Sequence, residues 1–204
     1  MSATSAVAER SWRFGDPIAA LRDLLARGGV LAVPTESSYG LAVDPRSRAG
    51  VEAIYRLKGR AGSKALPVVA ADLAALERLG VNASDPAVRW AAPRWPAALT
   101  VVAALCEPIA ASAGSATLAV RIPGEARLRA LLGELGGALT ATSANPSGEA
   151  PLLDPAAVAA WFERAGLDGR VVDAGVLAGG PPSTLVAWRE GGPVVLRPGR
   201  VRIA

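Results

Sequence analysis

The sequence predicts an α/β protein, a single domain with a twisted, open, mixed sheet flanked by helices. Short apolar runs recur from "VLAVPT" (30–35) to "PVVLRPG" (193–199). Between them stand helix-start signals, among them the same Asp-Pro pair at residues 16–17, 85–86 and 154–155. Strands and helices alternate early, and the last third is strand-rich. That order argues for a mixed sheet rather than an all-parallel one.

The first helix is expected to start at Asp16, an acceptor at the N-cap followed by proline at N1. It runs through "IAALRDLLARGG" to Gly28, a natural stop. "VLAVPT" is a buried strand ending at Pro34, and "YGLAVDP" is a second short extended piece. Ser47 caps a helix through "AGVEAIYRL" that ends near Gly59. "ALPVVAA" (65–71) is strand-like, and Asp72 and Asp85 open two further helices. "ALTVVAAL" (98–105) and "TLAVRIP" (117–123) are strands, "EARLRALLGELGG" is helical, and "ALTATSAN" is a strand running into a loop. Asp154 opens a helix over "AAVAAWFERAG". "RVVDAG", "STLVAW" and "PVVLRPG" close the chain as strands. The Gly/Pro loop "AGVLAGGPPS" (174–183) is about ten residues long, enough by loop-length priors to suggest a function.

Composition narrows the chemistry. Apolar residues make up 51% and charged residues 20% of 204 residues, which is enough for one substantial core and far from disorder. The chain has one cysteine and no histidine. Zinc sites, histidine-based triads and an internal disulfide are therefore excluded. Chemistry falls to carboxylates, hydroxyls, Lys/Arg, backbone groups, or a metal held mainly by substrate phosphates. Cys106, after an apolar run, is expected to pack as a small hydrophobe. The N-terminus lacks a signal-peptide pattern and no apolar run reaches transmembrane length. The expected location is the cytoplasm, with no membrane. A net charge of +4 permits an anionic partner such as a nucleotide or RNA without demanding one.

Four polar stretches sit beside apolar strands, where ligand sites of open α/β sheets gather. They are "PTESSYG" (34–40), "KGRAGSK" (58–64), "ATSANPSG" (141–148) and "PPSTL" (181–185), with "RPG" (197–199) after the last strand. Lys58 and Lys64 are the chain's two lysines, set among arginines everywhere else. At a helix end, Lys58 and Arg60 complement the negative terminus, the reading these two residues favour by themselves; the functional reading is a cationic clamp for phosphate. Ser143 and Asn145 point the same way in an extended chain and can hold one ligand together. Arg121 is a lone charge in an apolar strand. It needs a partner, either an internal carboxylate or the carboxylate of a ligand.

The ordered set "VPTESSYGLAVD", "IYRLKGRAGSKALPVV", "RWPAALTVV", "LAVRIP", "ATSANPSGEAP", "PSTLV" and "LRPG" resembles the YrdC-like family, the threonylcarbamoyl-AMP synthases of tRNA modification. The family's KxR…SxN signature falls on Lys58, Arg60, Ser143 and Asn145, and the likeness runs from about residue 14 to residue 202. The resemblance implies a YrdC-like domain over 14–204 after an N-terminal extension (1–13), with a concave basic face. It implies formation of threonylcarbamoyl-AMP and pyrophosphate from L-threonine, bicarbonate and ATP, with Mg²⁺ accompanying the nucleotide and no protein metal site. Downstream proteins then pass the threonylcarbamoyl group to ANN-decoding tRNAs; direct contact with tRNA stays open. By the same resemblance Lys58 and Arg60 are catalytic, and they bind ATP together with Thr117, Asn145 and Arg197. Thr35, Arg121, Ser143 and Ser183 fall at threonine-binding positions.

Three departures touch the finer contacts. Ala61 stands where proline often follows KxR, Val69 where histidine is common, and Leu153 where Ser or Thr often assists ATP. The chain looks like the short, core-only form of the family. A non-catalytic module holding double-stranded RNA or tRNA is the alternative, but RNA binding needs only a basic surface and not this ordered set. The related carbamoyl-transfer domain of hydrogenase-maturation proteins is a third reading. Nothing here resembles the acylphosphatase-like and zinc-finger segments that accompany it.

Overall fold

The computed structural model describes residues 10–59 and 64–203. Arg60 and Ala61 lie outside the described residues. The expected mixed α/β class is observed, with the strands divided into two sheets instead of one.

The first sheet runs in the order β1 (Ser11–Arg13), β9 (Gly169–Asp173), β2 (Val30–Pro34), β3 (Tyr39–Ala42), β8 (Thr142–Ser143). β2 lies inside it, parallel to β9 and antiparallel to β3, and is buried at every position. That is why "VLAVP" reads as a continuous apolar run without alternation. β1 pairs parallel with β9. The sequence assigned no element there, and the chain joins the sheet ahead of the boundary expected at residue 14. Three residues with one buried side chain carry no readable period.

The second sheet runs β11 (Gly192–Arg197), β10 (Thr184–Arg189), β5 (Leu99–Ala104), β6 (Thr117–Arg121), β4 (Val68–Ala70), β7 (Ala138–Thr140). Its pairings are mixed: β4/β6 and β5/β10 are parallel, the others antiparallel. The chain passes from this sheet to the first through Ala141, between β7 and β8. Thr140 joins the two sheets. Its hydroxyl donates to the Leu41 carbonyl at 3.2 Å and accepts the Val43 N–H at 3.0 Å.

Helices cover the sheets where their stripes are apolar. α1 (Ala19–Ala26) buries Leu21, Leu24 and Leu25, and α5 (Ala126–Glu134) buries Leu128, Leu131 and Leu132. Both sets follow the i, i+3, i+4 spacing of one helix face, and they share a core cluster with Val33, Val69 and Leu139. α2 (Arg48–Lys58) starts on Ser47, whose hydroxyl accepts the Gly50 N–H, and ends on Gly59 at φ 62°. α3 (Leu73–Leu79), α4 (Pro86–Ala91) and α6 (Pro155–Arg164) start on Asp72, Asp85 and Asp154, each accepting an N–H of its own first turn. Asp85 also accepts the Ala104 N–H at 2.9 Å, which pins α4 to β5.

Two expectations are corrected. Asp16 does not cap α1: its carboxylate accepts the Arg13 N–H at 2.7 Å, and the helix takes Ile18 as N-cap. The Asp-Pro signal was satisfied by a tight turn instead of a helix start. Cys106 is exposed, because β5 ends at Ala104 and the chain leaves the sheet there. Among the described residues no helix is long and apolar enough to cross a membrane.

Candidate active site

A cleft of about 750 Å³ opens where the two sheets meet. Five of the sequence-selected residues line it: Thr35, Arg121, Ser143, Ser183 and Arg197. They come from both sheets. β3 pairs with β8 so that Gly40 faces Ser143, which brings "PTESSYG" beside "TSAN". β4 pairs with β6 so that Val69 faces Arg121. Ser183 and Arg197 stand at the start of β10 and the end of β11, at the other edge of the second sheet.

Arg121 is 7% exposed. Its Nη1 donates to Glu36 Oε2 at 2.6 Å, and Glu36 Oε1 accepts the Gly124 N–H at 2.7 Å. So the lone arginine does have an internal carboxylate. Yet among the described residues only Nη1 is engaged. No fully buried side-chain nitrogen or oxygen among the described residues lacks a hydrogen-bond partner. Among the described residues Nε and Nη2 have no hydrogen-bond partner, and Arg121 lines the cleft.

Arg197 donates through Nη2 to the Ser183 carbonyl at 2.9 Å and to its hydroxyl at 3.3 Å. The Ser183 hydroxyl also shares a 2.7 Å hydrogen bond with Thr100. Partial loss of water around the guanidinium, and then the charge of Arg121, hold the Arg197 pKa below the ordinary arginine value. The residue is exposed overall and stays protonated. The two guanidiniums are like charges lining the same cleft. Lys64 adds a third cation to the wall, and among the described residues no Asp or Glu lines it. This is the basic concavity that the resemblance implied, and it favours an anionic ligand.

Lys58 lies behind the Ser143 segment. It is 2% exposed and does not line the cleft. Its ammonium donates to the carbonyls of Ser143 at 2.6 Å and Asn145 at 2.9 Å, and to Asn145 Oδ1 at 3.3 Å. Asn145 in turn donates to the carbonyls of Pro146 and Glu149, both at 2.8 Å. The K…SxN part of the signature is thus a buried clasp behind Ser143, and this gives the lysine a reason to resist the chain's arginine bias. A compact ammonium can serve several oxygens converging from one turn, whereas a planar guanidinium fork cannot fit there.

Thr117 is exposed and does not line the cleft. It shares the strand face of Ala119 and Arg121, roughly 13 Å up β6 from Arg121. The Thr35 hydroxyl donates to the Ser38 carbonyl at 2.7 Å and closes the turn that aims Glu36 at Arg121. Val69 and Leu153 are both on the wall, so the departures make it more apolar.

Sequence reasoning missed the residues that hold the 174–183 loop. Arg200 donates to the carbonyls of Gly179 at 2.6 Å and Pro181 at 3.2 Å. Tyr39, fully buried, donates its hydroxyl to the Gly175 carbonyl at 2.9 Å and accepts the Ala174 N–H. Burial raises the Tyr39 pKa above its ordinary value, so it remains a donor. Neither contact has a local sequence signal, because each partner is more than twenty positions away or reached through a backbone atom. Gly199 was visible in "RPG": a Cβ there would collide with the Pro182 carbonyl and the Thr184 nitrogen. Gly199→Ala is therefore expected to cost about 2 kcal/mol and to displace Ser183, read as a lower melting temperature with weakened ligand binding.

A family model described as Telomere recombination (Sua5_yciO_yrdC) matches residues 23–199. The chain is similar to a "Threonylcarbamoyl-AMP synthase" of Bacillus subtilis (strain 168), 37% identical over 196 residues, 91% of this chain and 54% of that protein. It is also similar to a "Threonylcarbamoyl-AMP synthase" of Thiobacillus denitrificans, 38% identical over 174 residues, 84% of this chain and 90% of that one. Among solved structures it resembles P. abyssi Sua5 complexed with L-threonine, with a TM-score of 0.79 and 28% identity over 93% of this chain and 56% of that chain. The chain thus spans about half the length of the Bacillus and P. abyssi proteins and most of the Thiobacillus one.

Proposed function

Because the chain belongs to the Sua5/YciO/YrdC family, we propose that it is a threonylcarbamoyl-AMP synthase. It takes L-threonine, bicarbonate and ATP and releases pyrophosphate and water. The observation that carries this reading is the cleft itself: a nearly buried arginine held by Glu36 through Nη1 alone, sharing the wall with a second arginine and, among the described residues, with no carboxylate.

The open edge of Arg121 suits the planar threonine carboxylate, with the hydroxyls of Ser143 and Ser183 placed to orient the rest of the molecule. The threonine amine takes up CO₂ from bicarbonate as a carbamate, with loss of water. A carbamate oxygen then attacks the α-phosphorus of ATP, and pyrophosphate leaves with the electrons of the broken P–O bond. Arg197 and, by family resemblance, Arg60 and Thr117 serve the nucleotide side, with Lys64 on the wall nearby. Lys58 and Asn145 act through the Ser143 segment. Most of the rate enhancement asked of such a site is positioning and charge, and no histidine base is required.

Magnesium enters with the nucleotide as substrate. Among the described residues no group of three or more Asp, Glu, His or Cys could hold a metal. Glu36, the carboxylate nearest Arg121, is already engaged on both oxygens. The product goes to downstream proteins that modify tRNA, in the cytoplasm where tRNA and ATP are found. A module that only held RNA would present its cations on an exposed face, and the burial of Arg121 does not serve that purpose.

The test is pyrophosphate release by the purified protein with each substrate omitted in turn. Release is expected to require threonine and bicarbonate together, with a threonine-containing adenylate as product. ATP turnover indifferent to threonine would overturn the reading.

A further inference from the structure

We propose that Glu36 is a positioning residue that sets the substrate-facing edge of Arg121, and through it the affinity for the substrate carboxylate. The inference rests on the reading of Arg121 as the carboxylate clamp. Arginine–carboxylate pairs are frequently two-bonded, with parallel hydrogen bonds to one fork edge. Glu36 takes only Nη1, at 2.6 Å, and turns its other oxygen to the Gly124 N–H at 2.7 Å. The carboxylate is thus a bridge between the end of the arginine and the backbone just past β6. Its anchor is a main-chain group, so the bridge fixes where Nη1 lies. Nε and Nη2, which make no hydrogen bond to the described residues, are left as a paired donor edge on a residue that lines the cleft.

Charge gives Glu36 a second effect. Arg197 and Arg121 are like charges on one cleft wall and repel each other. A guanidinium held at one point only by its stem would swing away from a like charge. The Glu36 carboxylate opposes that swing by holding Nη1. Thr35 supports it, because its hydroxyl closes the turn that carries Glu36. The run "PTESSYG" therefore serves the site less through its hydroxyls than through its single acid.

The informative substitution is Glu36→Gln. Glutamine has the same shape, but its one amide oxygen cannot accept from both Arg121 and Gly124. Whichever it faces, its NH₂ meets the other donor. The bridge is lost while the volume is kept. The threonine KM is expected to rise about tenfold or more, the loss of one charge-assisted hydrogen bond. The ATP KM and kcat should stay within about twofold. In an Arg121→Ala background the same change should leave the threonine KM unmoved, because the fork it positions is gone.

Equal losses in kcat and both KM values, or an unchanged threonine KM, would overturn the proposal. If Glu36→Gln does not fold, Glu36→Asp takes its place. Aspartate keeps the charge but is one methylene too short for both contacts, so the same rise in threonine KM is expected. Failure of the wild-type protein to show threonine-dependent turnover would instead strike the functional reading itself, and direct threonine binding to wild type and variant would then still test the role of Glu36.

Discussion

Lys58→Ala is expected to abolish turnover and to lower stability by about 3 kcal/mol. The lysine is buried and its ammonium serves the carbonyls of Ser143 and Asn145 together with the Asn145 side chain. Removing it leaves those oxygens without their donor in a place water reaches poorly. For a chain of this length the melting temperature should fall by roughly 10 °C. Ser143 then loses the support that places it on the cleft wall. A lysine that merely touched phosphate would behave otherwise: alanine would cost turnover and leave the melting temperature unchanged. Lys58→Arg sharpens the contrast. An arginine could replace a phosphate contact, but its fork does not fit the buried clasp, so this variant too should be unstable and inactive. Thermal melts and pyrophosphate release on the two variants decide it.

Arg121→Ala is expected to raise the threonine KM about a hundredfold, the worth of a two-bonded arginine–carboxylate contact. Its effect on folding should be smaller, about 2 kcal/mol, although the residue belongs to an ion pair. Breaking a fully buried pair costs more than this. Here the stranded partner, Glu36, keeps the Gly124 N–H, and its side chain is 17% exposed beside an open cleft that lets water in. Threonine saturation curves beside thermal melts measure both effects. A lower melting temperature with an unchanged threonine KM would show that the pair serves the fold alone.

These two residues also show how far the site could be read from sequence. Arg121 announced itself, because an isolated charge in "LAVRIP" must find a partner, and the structure supplies the internal one, Glu36, on a residue that also lines the cleft. Lys58 stood out in the sequence, but its burial did not. Burial of a side chain at a helix end depends on what packs over it, and here that is the Ser143–Asn145 segment more than eighty positions away. The helix that Asp16 failed to cap makes the same point locally, since a carboxylate satisfies whichever N–H the turn offers first.

The sequence by itself determined the mixed α/β class, most strands and helices, and the family, because strand runs, caps and the KxR…SxN order are local or ordered along the chain. Only the tertiary structure decided that the strands form two sheets, since a strand's partners are not encoded in its own period. It alone placed Arg121, Arg197 and Ser183 around one cleft and set Lys58 behind it. It alone turned Glu36 toward Arg121. Each of these depends on contacts between residues distant in sequence, where burial and the demand that every polar group find a partner select one arrangement from several the sequence allows.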